Sequence, residues 1–365
     1  MRARQKILAS VFMALITVPM LAFPAVRGFI DTGNRENRRM TSFSEVIDAP
    51  YTDKPALFSE YYNDNLPFKN QIITLVSLMS MRFFRTTASP LVVMGEEGWL
   101  FFNNIGQDNP VSDVTGQTAF SAEELELVRE NIARRAEDLR GRGIDFHILL
   151  IPNKEAIYKE YLPAYLHSRV AAESRTDMLA SFLNSETLTV VYPGEVLARH
   201  ASDYRLYYKY DSHWNELGAY LAARELFADM EIELPGLEQC ELAPAAPSKD
   251  LAMLAGVSDF CNDDYAYQIK HFGTSVTVDT EYLLNGIVRY TSDAADKRTV
   301  LVIGDSYFEA LKRCFYNQFA DVIEVNRNIA EYDPNKLIKQ HKPDIVVLQL
   351  VERASSVLLH EDILS

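Results

Sequence analysis

The chain has 365 residues, 48% of them hydrophobic, which is enough to bury one large core or two smaller ones. Its formal net charge of −15 excludes a nucleic-acid-binding protein, because such proteins need clustered Lys and Arg to displace phosphate counterions. The three cysteines form no CxxC pair and have no ligand spacing with the seven histidines, so the sequence predicts no bound metal and no cofactor.

The N-terminus has the pattern of a segment that enters a membrane. Basic residues at positions 2, 4 and 6 precede an uncharged stretch from Ile7 to Val26, close to the ~20 residues that a spanning helix needs. Residues 1–30 are therefore predicted to be an uncleaved anchor in the inner membrane, with a cleaved signal peptide as the alternative. The positive-inside rule then places the remainder of the chain in the periplasm or outside the cell.

An exported protein can keep disulfides, which bears on two of the cysteines. Cys240 and Cys261 flank a stretch that contains "PAAP", typical of a loop. A disulfide between them and two separate thiols are both compatible with the sequence.

Residues 31–90 are predicted to be a linker followed by a membrane-proximal helical region. The polar stretch from 31 to 55 contains one glycine and two prolines, which favours a linker. Apolar residues at helical spacing from Ile72 to Phe83 then predict an amphipathic helix.

Residues 91–365 are predicted to form a single domain. In "LVVMGEEGWLFF", two apolar runs surround a turn in which Gly98 supplies a positive φ, so we expect a hairpin. Ser121 with Glu124 three positions later predicts a capped helix that extends to Arg142.

Buried strands and helices then alternate along this domain. The strand candidates are "IDFHILLI" (144–151), "TLTVVY" (187–192), "TVLVIG" (299–304), "DVIEV" (321–325) and "DIVVLQL" (344–350). Helical patterns occupy residues 214–229, 307–319 and 334–341. The pattern predicts a three-layer α/β/α domain whose sheet has about five strands, mostly parallel.

Ser306 is the first candidate functional residue. In "RTVLVIGDSYFEALKRCF" an apolar strand leads through Gly304-Asp305-Ser306 directly into an amphipathic helix. A serine on such a strand-to-helix turn suits a nucleophile, because helix N–H groups nearby can stabilise an oxyanion. The alternative is that Ser306 only caps the helix.

A serine nucleophile needs a base and a group that orients the base. "YDSHWNEL" supplies both types of side chain in Asp211 and His213, two positions apart. In an extended or turn segment the two side chains project to the same side, so the carboxylate can fix one imidazole tautomer. Two alternatives stay open: Asp211 or Ser212 caps the following helix, and His213-Trp214 is core packing.

The same residues resemble a known family. "YDSHWNELGAY" and "VIGDSYFEAL" are similar to the Asp-x-His-Trp-Asn and Gly-Asp-Ser blocks of the AlgX/AlgJ-like SGNH hydrolase-like proteins, which overlap the DHHW proteins. The blocks "ENRRMTSF", "FSEYYNDNLPFKNQI", "VVMGEEGWLFF", "LLIPNKEAIY" and "VVLQLVERA" also match, in the family's order. The resemblance spans residues 35–355.

The resemblance implies an SGNH-type domain that transfers acetyl groups to an exported polysaccharide such as alginate. Ser306 would then be the nucleophile, His213 the base and Asp211 the orienting acid. It also implies a membrane acyltransferase partner that delivers the acetyl donor. We expect oxyanion or auxiliary roles near Ser306 for Gly304 and Tyr307, and Asn153 in "PNKE" is a further candidate whose alternative role is to satisfy its own loop.

Two other functions are compatible with the sequence. A carbohydrate acetylesterase would use the same three side chains with water as the acceptor. A non-catalytic assembly or scaffold protein of polysaccharide export would keep the fold without the reaction.

Overall fold

The structure is a computed structural model that describes residues 39–64, 68–104, 108–184, 190–270 and 276–360, together with residues 10, 14 and 18. The predicted anchor at residues 1–30 lies outside this part of the chain except for those three residues. Within the described residues, no helix combines the length and the apolarity that crossing a bilayer requires.

The helices and strands follow in chain order. The helices are α1 (Phe43–Asp48), α2 (Lys54–Asp64), α3 (Lys69–Phe84), α4 (Pro110–Val114), α5 (Ala122–Gly141), α6 (Lys154–Ile157), α7 (Ala164–His167), α8 (Arg175–Leu183), α9 (Gly194–His200), α10 (Glu216–Asp229), α11 (Asp250–Leu254), α12 (Phe308–Gln318) and α13 (Pro334–His341). The strands are β1 (Val92–Met94), β2 (Leu100–Phe102), β3 (Asp145–Ile151), β4 (Val190–Val191), β5 (Leu242–Ala245), β6 (Ala266–Ile269), β7 (Val278–Leu284), β8 (Ile287–Ser292), β9 (Asp296–Gly304), β10 (Phe319–Asn326) and β11 (Ile345–Val351).

The chain divides into two compact units, Met1–Pro90 with Ala252–Cys261, and Leu91–Leu251 with Asn262–Ser365. In the first unit, the predicted helix from Ile72 to Phe83 is confirmed as α3. The predicted linker is wrong in part, because α1 lies inside it and begins with a capping box at Ser42. The domain boundaries predicted at residues 30 and 90 stay predictions.

The second unit contains a seven-stranded sheet with the strand order β4-β3-β11-β9-β10-β8-β7. The five strands from β4 to β10 are parallel, and each overlaps one of the five predicted strand candidates. Residues 187–189 of the second candidate lie outside the described residues. Strands β8 and β7 add an antiparallel extension at one edge, so the sheet is mixed and the prediction of about five strands is wrong for the sheet as a whole.

Helices cover both faces of this sheet, as the alternating burial of β9 shows. Val300 and Val302 belong to one apolar cluster, which includes residues of α10 and α12. Leu301 belongs to a second cluster, which includes residues of α5 and α13. Because consecutive side chains of a strand point to opposite faces, the two clusters lie on opposite sides of the sheet and the three-layer prediction is confirmed.

Local sequence signals give several elements their bounds. The predicted hairpin is confirmed, with Val93 paired to Phe101 and a turn in which Glu97 and Gly98 have φ of 51° and 77°. The capping box of Ser121 with Glu124 is present at the start of α5. The three cysteines, Cys240, Cys261 and Cys314, are all thiols, so the disulfide alternative is not realised.

Candidate active site

Ser306 lies on the turn between β9 and α12, where the sheet's carboxyl end meets the helix. The flanking Asp305 and Tyr307 are buried, whereas Ser306 is exposed. Helix α12 begins without a side-chain cap, and the Ser306 hydroxyl is instead bonded to His213. The capping alternative for Ser306 is therefore wrong.

Gly304 precedes this turn. Glycine is required there because a side chain would not fit, and not because the backbone has a positive φ. A Cβ atom built on Gly304 would lie 2.5 Å from Oε1 of Gln349 in the neighbouring strand β11. The same Oε1 atom accepts the N–H of Asp305 at 3.2 Å, so its position is needed. The absence of a side chain lets β9 and β11 approach closely beside the turn.

Replacing Gly304 with alanine is expected to lower the free energy of unfolding by about 1 to 3 kcal/mol, the usual cost of overpacking. Gly141→Ala is the matched control, because a Cβ atom there would meet nothing within 4 Å. Urea denaturation of the two variants measures the difference. Equal stability of Gly304→Ala and wild type would contradict this view of the turn.

Asp305 holds the turn in place from inside. Its carboxylate accepts the N–H of Tyr307 at 3.0 Å, the side-chain amide of Gln349 at 2.9 Å and the N–H of Val351 at 2.7 Å. These bonds connect the turn to strand β11, so Asp305 has a structural role.

The segment from Tyr207 to Trp214 carries the other two candidate residues. Tyr207 and Trp214 form an antiparallel bridge, and the N–H of Tyr208 donates to His213 O at 3.2 Å. Helix α10 starts only after this turn, with Asn215 as its N-cap, so capping by Asp211 or Ser212 is wrong.

The turn brings His213 to Ser306 across 93 positions of sequence. His213 Nε2 lies 2.8 Å from Ser306 Oγ, and His213 Nδ1 lies 2.8 Å from Asp211 Oδ1. With the Nδ1 proton facing Asp211, Nε2 is free to accept the serine proton. The three side chains that the sequence predicts as a triad are therefore hydrogen-bonded in the order that proton transfer requires.

Asp211 is almost fully buried, at 1% exposure, and its carboxylate is surrounded by donors. Besides the His213 ring, Oδ1 accepts the backbone N–H of His213 at 2.9 Å. Oδ2 accepts the hydroxyl of Ser248 at 2.5 Å and the N–H of Asp250 at 2.9 Å. Four donors thus fix both oxygens, which fixes the direction in which Asp211 meets the imidazole.

Asp250 is a second carboxylate beside the same imidazole, and no pattern in the sequence indicates it. Its Oδ2 lies 3.6 Å from His213 Nδ1. The Ser212 hydroxyl donates to this Oδ2 at 2.6 Å and lies 3.3 Å from the same ring nitrogen. His213 therefore faces two negative charges on its Nδ1 side.

The protonation of His213 follows from these neighbours. Burial on its own lowers the pKa of the imidazole, but the hydrogen bonds and charges of Asp211 and Asp250 outweigh it and raise the pKa to about 9. Burial raises the pKa of Asp211, yet the pairing with His213 leaves it well below its usual range. The free site thus holds mainly protonated His213 at pH 7, and the base form increases as the pH approaches 9.

Two aromatic side chains, Tyr307 and Trp214, help to hold the His213 imidazole in position. The Tyr307 ring centroid lies 4.7 Å from that of His213, and the Tyr307 hydroxyl donates to Ser212 O at 2.7 Å. Buried Trp214 donates from Nε1 to Tyr307 O at 3.0 Å. Tyr307 and Trp214 therefore join the serine turn to the histidine turn, and Trp214 also has the packing role that the sequence suggests.

Asn153 lies elsewhere, although the sequence makes it an oxyanion candidate. It is buried, its Nδ2 donates to Asp113 Oδ2 at 3.1 Å, and its Oδ1 accepts from Arg353 at 3.3 Å. Arg353 also donates to the Tyr307 hydroxyl at 3.2 Å. Since the Asn153 amide is already engaged, we assign it no role in the reaction.

Two donors remain for a developing oxyanion. Tyr307 N–H donates to Asp305, and the N–H groups of Phe308 and Glu309 donate to backbone oxygens. The prediction that helix N–H groups near Ser306 stabilise an oxyanion is therefore wrong for these three groups. In the part of the chain that the structure describes, Ser306 N–H has no partner. The same holds for Nδ2 of Asn326, a residue of the same cleft at the end of β10.

The site lies in a cleft of about 510 Å³ with an acidic lining. Around Ser306 and His213, the lining residues are Tyr208, Asp211, Trp214, Glu216, Ser248, Tyr307, Glu309, Ala310, Glu324 and Asn326. No Lys or Arg is among these described lining residues. The two cations beside the cleft are paired already, Arg313 with Glu216 and Lys312 with Glu309.

A metal at this site would have to replace existing bonds. Among the residues that the structure describes, Asp211, His213 and Asp250 are the group with suitable atoms, all within 4.8 Å of one another. His213 Nδ1 and Asp211 Oδ1 are already bonded to each other. A metal ion bound there would therefore displace the hydrogen bond between the His213 imidazole and the Asp211 carboxylate.

The three-layer fold, with a serine at the end of a central parallel strand, defines an SGNH hydrolase-like α/β protein. The chain belongs to the family described as "SGNH hydrolase-like domain, acetyltransferase AlgX", which matches residues 92–322. The predicted resemblance to AlgX/AlgJ-like proteins is thus confirmed.

Individual relatives share little sequence identity with this chain. "Probable alginate O-acetylase AlgJ" of Pseudomonas aeruginosa is 26% identical over 200 residues, which cover 53% of this chain and 47% of that protein. The chain therefore matches about half the length of this curated relative. A DHHW family protein from Eubacterium siraeum has a TM-score of 0.53 and 15% identity, covering 75% of this chain and 97% of the other. Bacillus cereus PatB1 has a TM-score of 0.51 and 15% identity, covering 75% and 98%. These two likenesses concern the fold alone.

Proposed function

We propose that this protein is an O-acetyltransferase that moves an acetyl group from an activated donor to a hydroxyl of a polysaccharide. The observation that carries the proposal is the chain of two 2.8 Å hydrogen bonds from Ser306 through His213 to Asp211. Membership of an acetyltransferase family supports the type of group that is transferred.

The reaction proceeds through an acetyl-serine. His213 Nε2 takes the proton of Ser306 Oγ, and this oxygen attacks the carbonyl carbon of the donor. The resulting oxyanion is stabilised by Ser306 N–H and by the Asn326 amide. When the tetrahedral intermediate collapses, the bond to the donor's leaving group breaks, and that group receives the proton from His213.

The second half of the reaction reverses these roles. His213 takes a proton from the acceptor hydroxyl, whose oxygen attacks the acetyl carbon. Collapse breaks the bond to Ser306 Oγ and returns the proton from His213 to the serine. Water in place of the sugar gives the esterase reaction with the same side chains.

The acidic lining of the cleft bears on the acceptor. Sugar hydroxyls can donate hydrogen bonds to Glu216, Glu309 and Glu324, which line the cleft. A polyuronate such as alginate brings a carboxylate on each sugar, and the nearby cations Arg313 and Lys312 are already paired. We therefore favour an uncharged, hydroxyl-rich acceptor, and keep the alginate-like acceptor of the sequence analysis as the alternative.

The cellular setting is part of the same proposal. The basic N-terminus and the apolar stretch from Ile7 to Val26 suit an anchored protein whose domain lies outside the cytoplasm. Activated acetyl donors such as acetyl-CoA are made in the cytoplasm, so an exported enzyme needs a membrane acyltransferase partner to deliver the acetyl group.

The test incubates the full-length protein with a chromogenic acetyl ester and, in parallel, neutral oligosaccharides, uronate oligosaccharides or no acceptor. We expect mass spectrometry to find an acetyl group on Ser306 and on the neutral oligosaccharide. Free acetate as the only product would indicate an esterase. Absence of both acetyl-serine and acetyl release would contradict catalysis and favour a scaffold, and preferential acetylation of uronates would contradict the acceptor assignment.

A further inference from the structure

Lys154 is a charged side chain in an unusual place. It follows strand β3 at the start of α6, and its relative exposure is 0%. The rings of Trp99 and Phe101 lie 5.8 and 5.2 Å from its Nζ atom. Burying an ammonium group costs several kcal/mol unless its three N–H groups find partners, so the partners of Lys154 are informative.

The partners of Lys154 are backbone carbonyls of the turn that carries the candidate triad. Nζ lies 3.2 Å from Tyr208 O, 3.5 Å from Lys209 O and 2.6 Å from Asp211 O. It also donates to Leu100 O in strand β2. None of these four bonds involves a carboxylate oxygen, so the ammonium group lies inside the turn, bonded to carbonyls from several sides.

We propose that Lys154 is a positioning residue, whose Nζ atom holds the backbone of residues 208–211 and thereby the Asp211 carboxylate beside His213. Because Asp211 O is bonded to Lys154, the ammonium group fixes the backbone from which the Asp211 side chain extends to His213 Nδ1. The inference rests on the proposed function, since the position of Asp211 affects a rate only if His213 takes protons from Ser306.

The charge of Lys154 does not set the pH at which His213 becomes a base. Burial lowers the pKa of Lys154 to about 8, against the attraction of Glu155, Asp250, Asp211 and Asp264. His213, with a pKa of about 9, loses its proton at a higher pH, where Lys154 is mostly a neutral amine that keeps two N–H donors. Lys154 therefore acts on His213 through the position of Asp211. A less firmly held Asp211 stabilises protonated His213 less, so removing Lys154 should lower the pH at which His213 loses its proton.

The experiment compares the full-length protein with Lys154→Met, which keeps the length of the side chain and removes the charge and the donors. We expect kcat/KM for acetyl release to fall by about 10- to 100-fold, the scale of a displacement of about 1 Å in a catalytic group. The acidic limb of the pH profile should move to lower pH, because a loosened Asp211 stabilises protonated His213 less. Lys154→Arg should restore part of the activity and the wild-type midpoint.

Lys270→Met is the control, because the Lys270 ammonium bonds to Glu241 at 2.6 Å, outside the 208–211 turn and the cleft lining. Its kcat/KM should stay within about twofold of wild type. A Lys154→Met variant that is folded by circular dichroism, with wild-type kcat/KM and midpoint, would overturn the inference. If Lys154→Met does not fold, Lys154→Gln and Lys154→Arg are compared instead, and equal midpoints overturn it.

An NMR titration of the His213 imidazole in the substrate-free protein gives the same midpoint without turnover. Lys154→Met should shift this titration to lower pH even if no acetyl acceptor or donor has been found. An unshifted titration contradicts the inference about Lys154. Absence of acetyl release in wild type, with the shift present, contradicts the proposed function alone.

Discussion

Replacing Ser306 with alanine is expected to lower kcat/KM for acetyl release by roughly 10⁴- to 10⁶-fold, the range seen when a catalytic serine is removed. Ser306 Oγ is the atom that His213 Nε2 faces at 2.8 Å, and alanine leaves no oxygen to receive the acetyl group. Initial rates with a chromogenic acetyl ester, together with the intact mass of the protein after incubation, measure the effect.

A matched serine provides the control for Ser306→Ala. Ser356 is also a hydroxyl on the second unit, bonded to Asp108 at 2.7 Å and outside the cleft lining. Ser356→Ala should retain the wild-type rate within about twofold and still gain one acetyl group. If Ser306→Ala became acetylated and kept the wild-type rate, the nucleophile would have to be another residue.

Much of the parallel core could be predicted because local and tertiary requirements agree there. Strand β11 is buried along its whole length, so both faces demand apolar side chains and the sequence reads "IVVLQLV". The start of α5 has a capping box that is complete within four residues. Such signals are local, so these elements can be predicted without knowledge of the remaining fold.

The antiparallel extension was missed for a physical reason. Strand β7 is mostly exposed, so its sequence "VDTEYLL" carries no continuous apolar run. A signal was nevertheless present, because Asn285-Gly286 joins β7 to β8 and Gly286 has a φ of 74°. Asn-Gly between strand-forming residues is a strong indication of a hairpin.

The support around the candidate triad could not be predicted from local patterns. Ser248 and Asp250 reach Asp211 from a separate loop, and nothing in "PSKD" indicates where that loop lies. Lys154 is a lysine of the kind that sequence patterns place at the surface, yet it is buried. Only the assembled fold shows which hydrogen-bond donors surround a given carboxylate.

Asp211→Asn is expected to lower kcat/KM by roughly 10⁴-fold, as removal of the orienting charge does in other serine triads. The reason is geometric as well as electrostatic. Both carboxylate oxygens accept hydrogen bonds, Oδ1 from His213 Nδ1 and N, and Oδ2 from Ser248 and Asp250. An amide has one oxygen and one NH₂ group, so in either orientation its NH₂ group faces donors, and the imidazole is displaced or held in the wrong tautomer.

The pH profile separates this effect from a general loss of structure. In wild type, the negative charges beside Nδ1 hold the pKa of His213 at about 9, above the ordinary value of 6.5. Activity should therefore decline as the pH falls below about 9, because protonated His213 cannot take the serine proton. Asp211→Asn removes one of those charges, so the proton leaves more easily and the midpoint moves to lower pH, further than in Lys154→Met, where the carboxylate stays but is held less firmly.

Asp250→Asn is the control variant. Its effects on the pH midpoint and on kcat/KM should have the same direction as those of Asp211→Asn and be smaller. Its carboxylate lies 3.6 Å from His213 Nδ1, compared with 2.8 Å for Asp211, so its interaction with the ring is weaker. The midpoint should again move to lower pH, while kcat/KM at the optimum falls by about tenfold or less. If Asp211→Asn and Asp250→Asn lost activity equally, or if neither moved the midpoint, Asp211 would not be the residue that orients His213. A smaller shift of the same sign in Lys154→Met would show that Lys154 acts on the proton equilibrium of His213 through the position of Asp211.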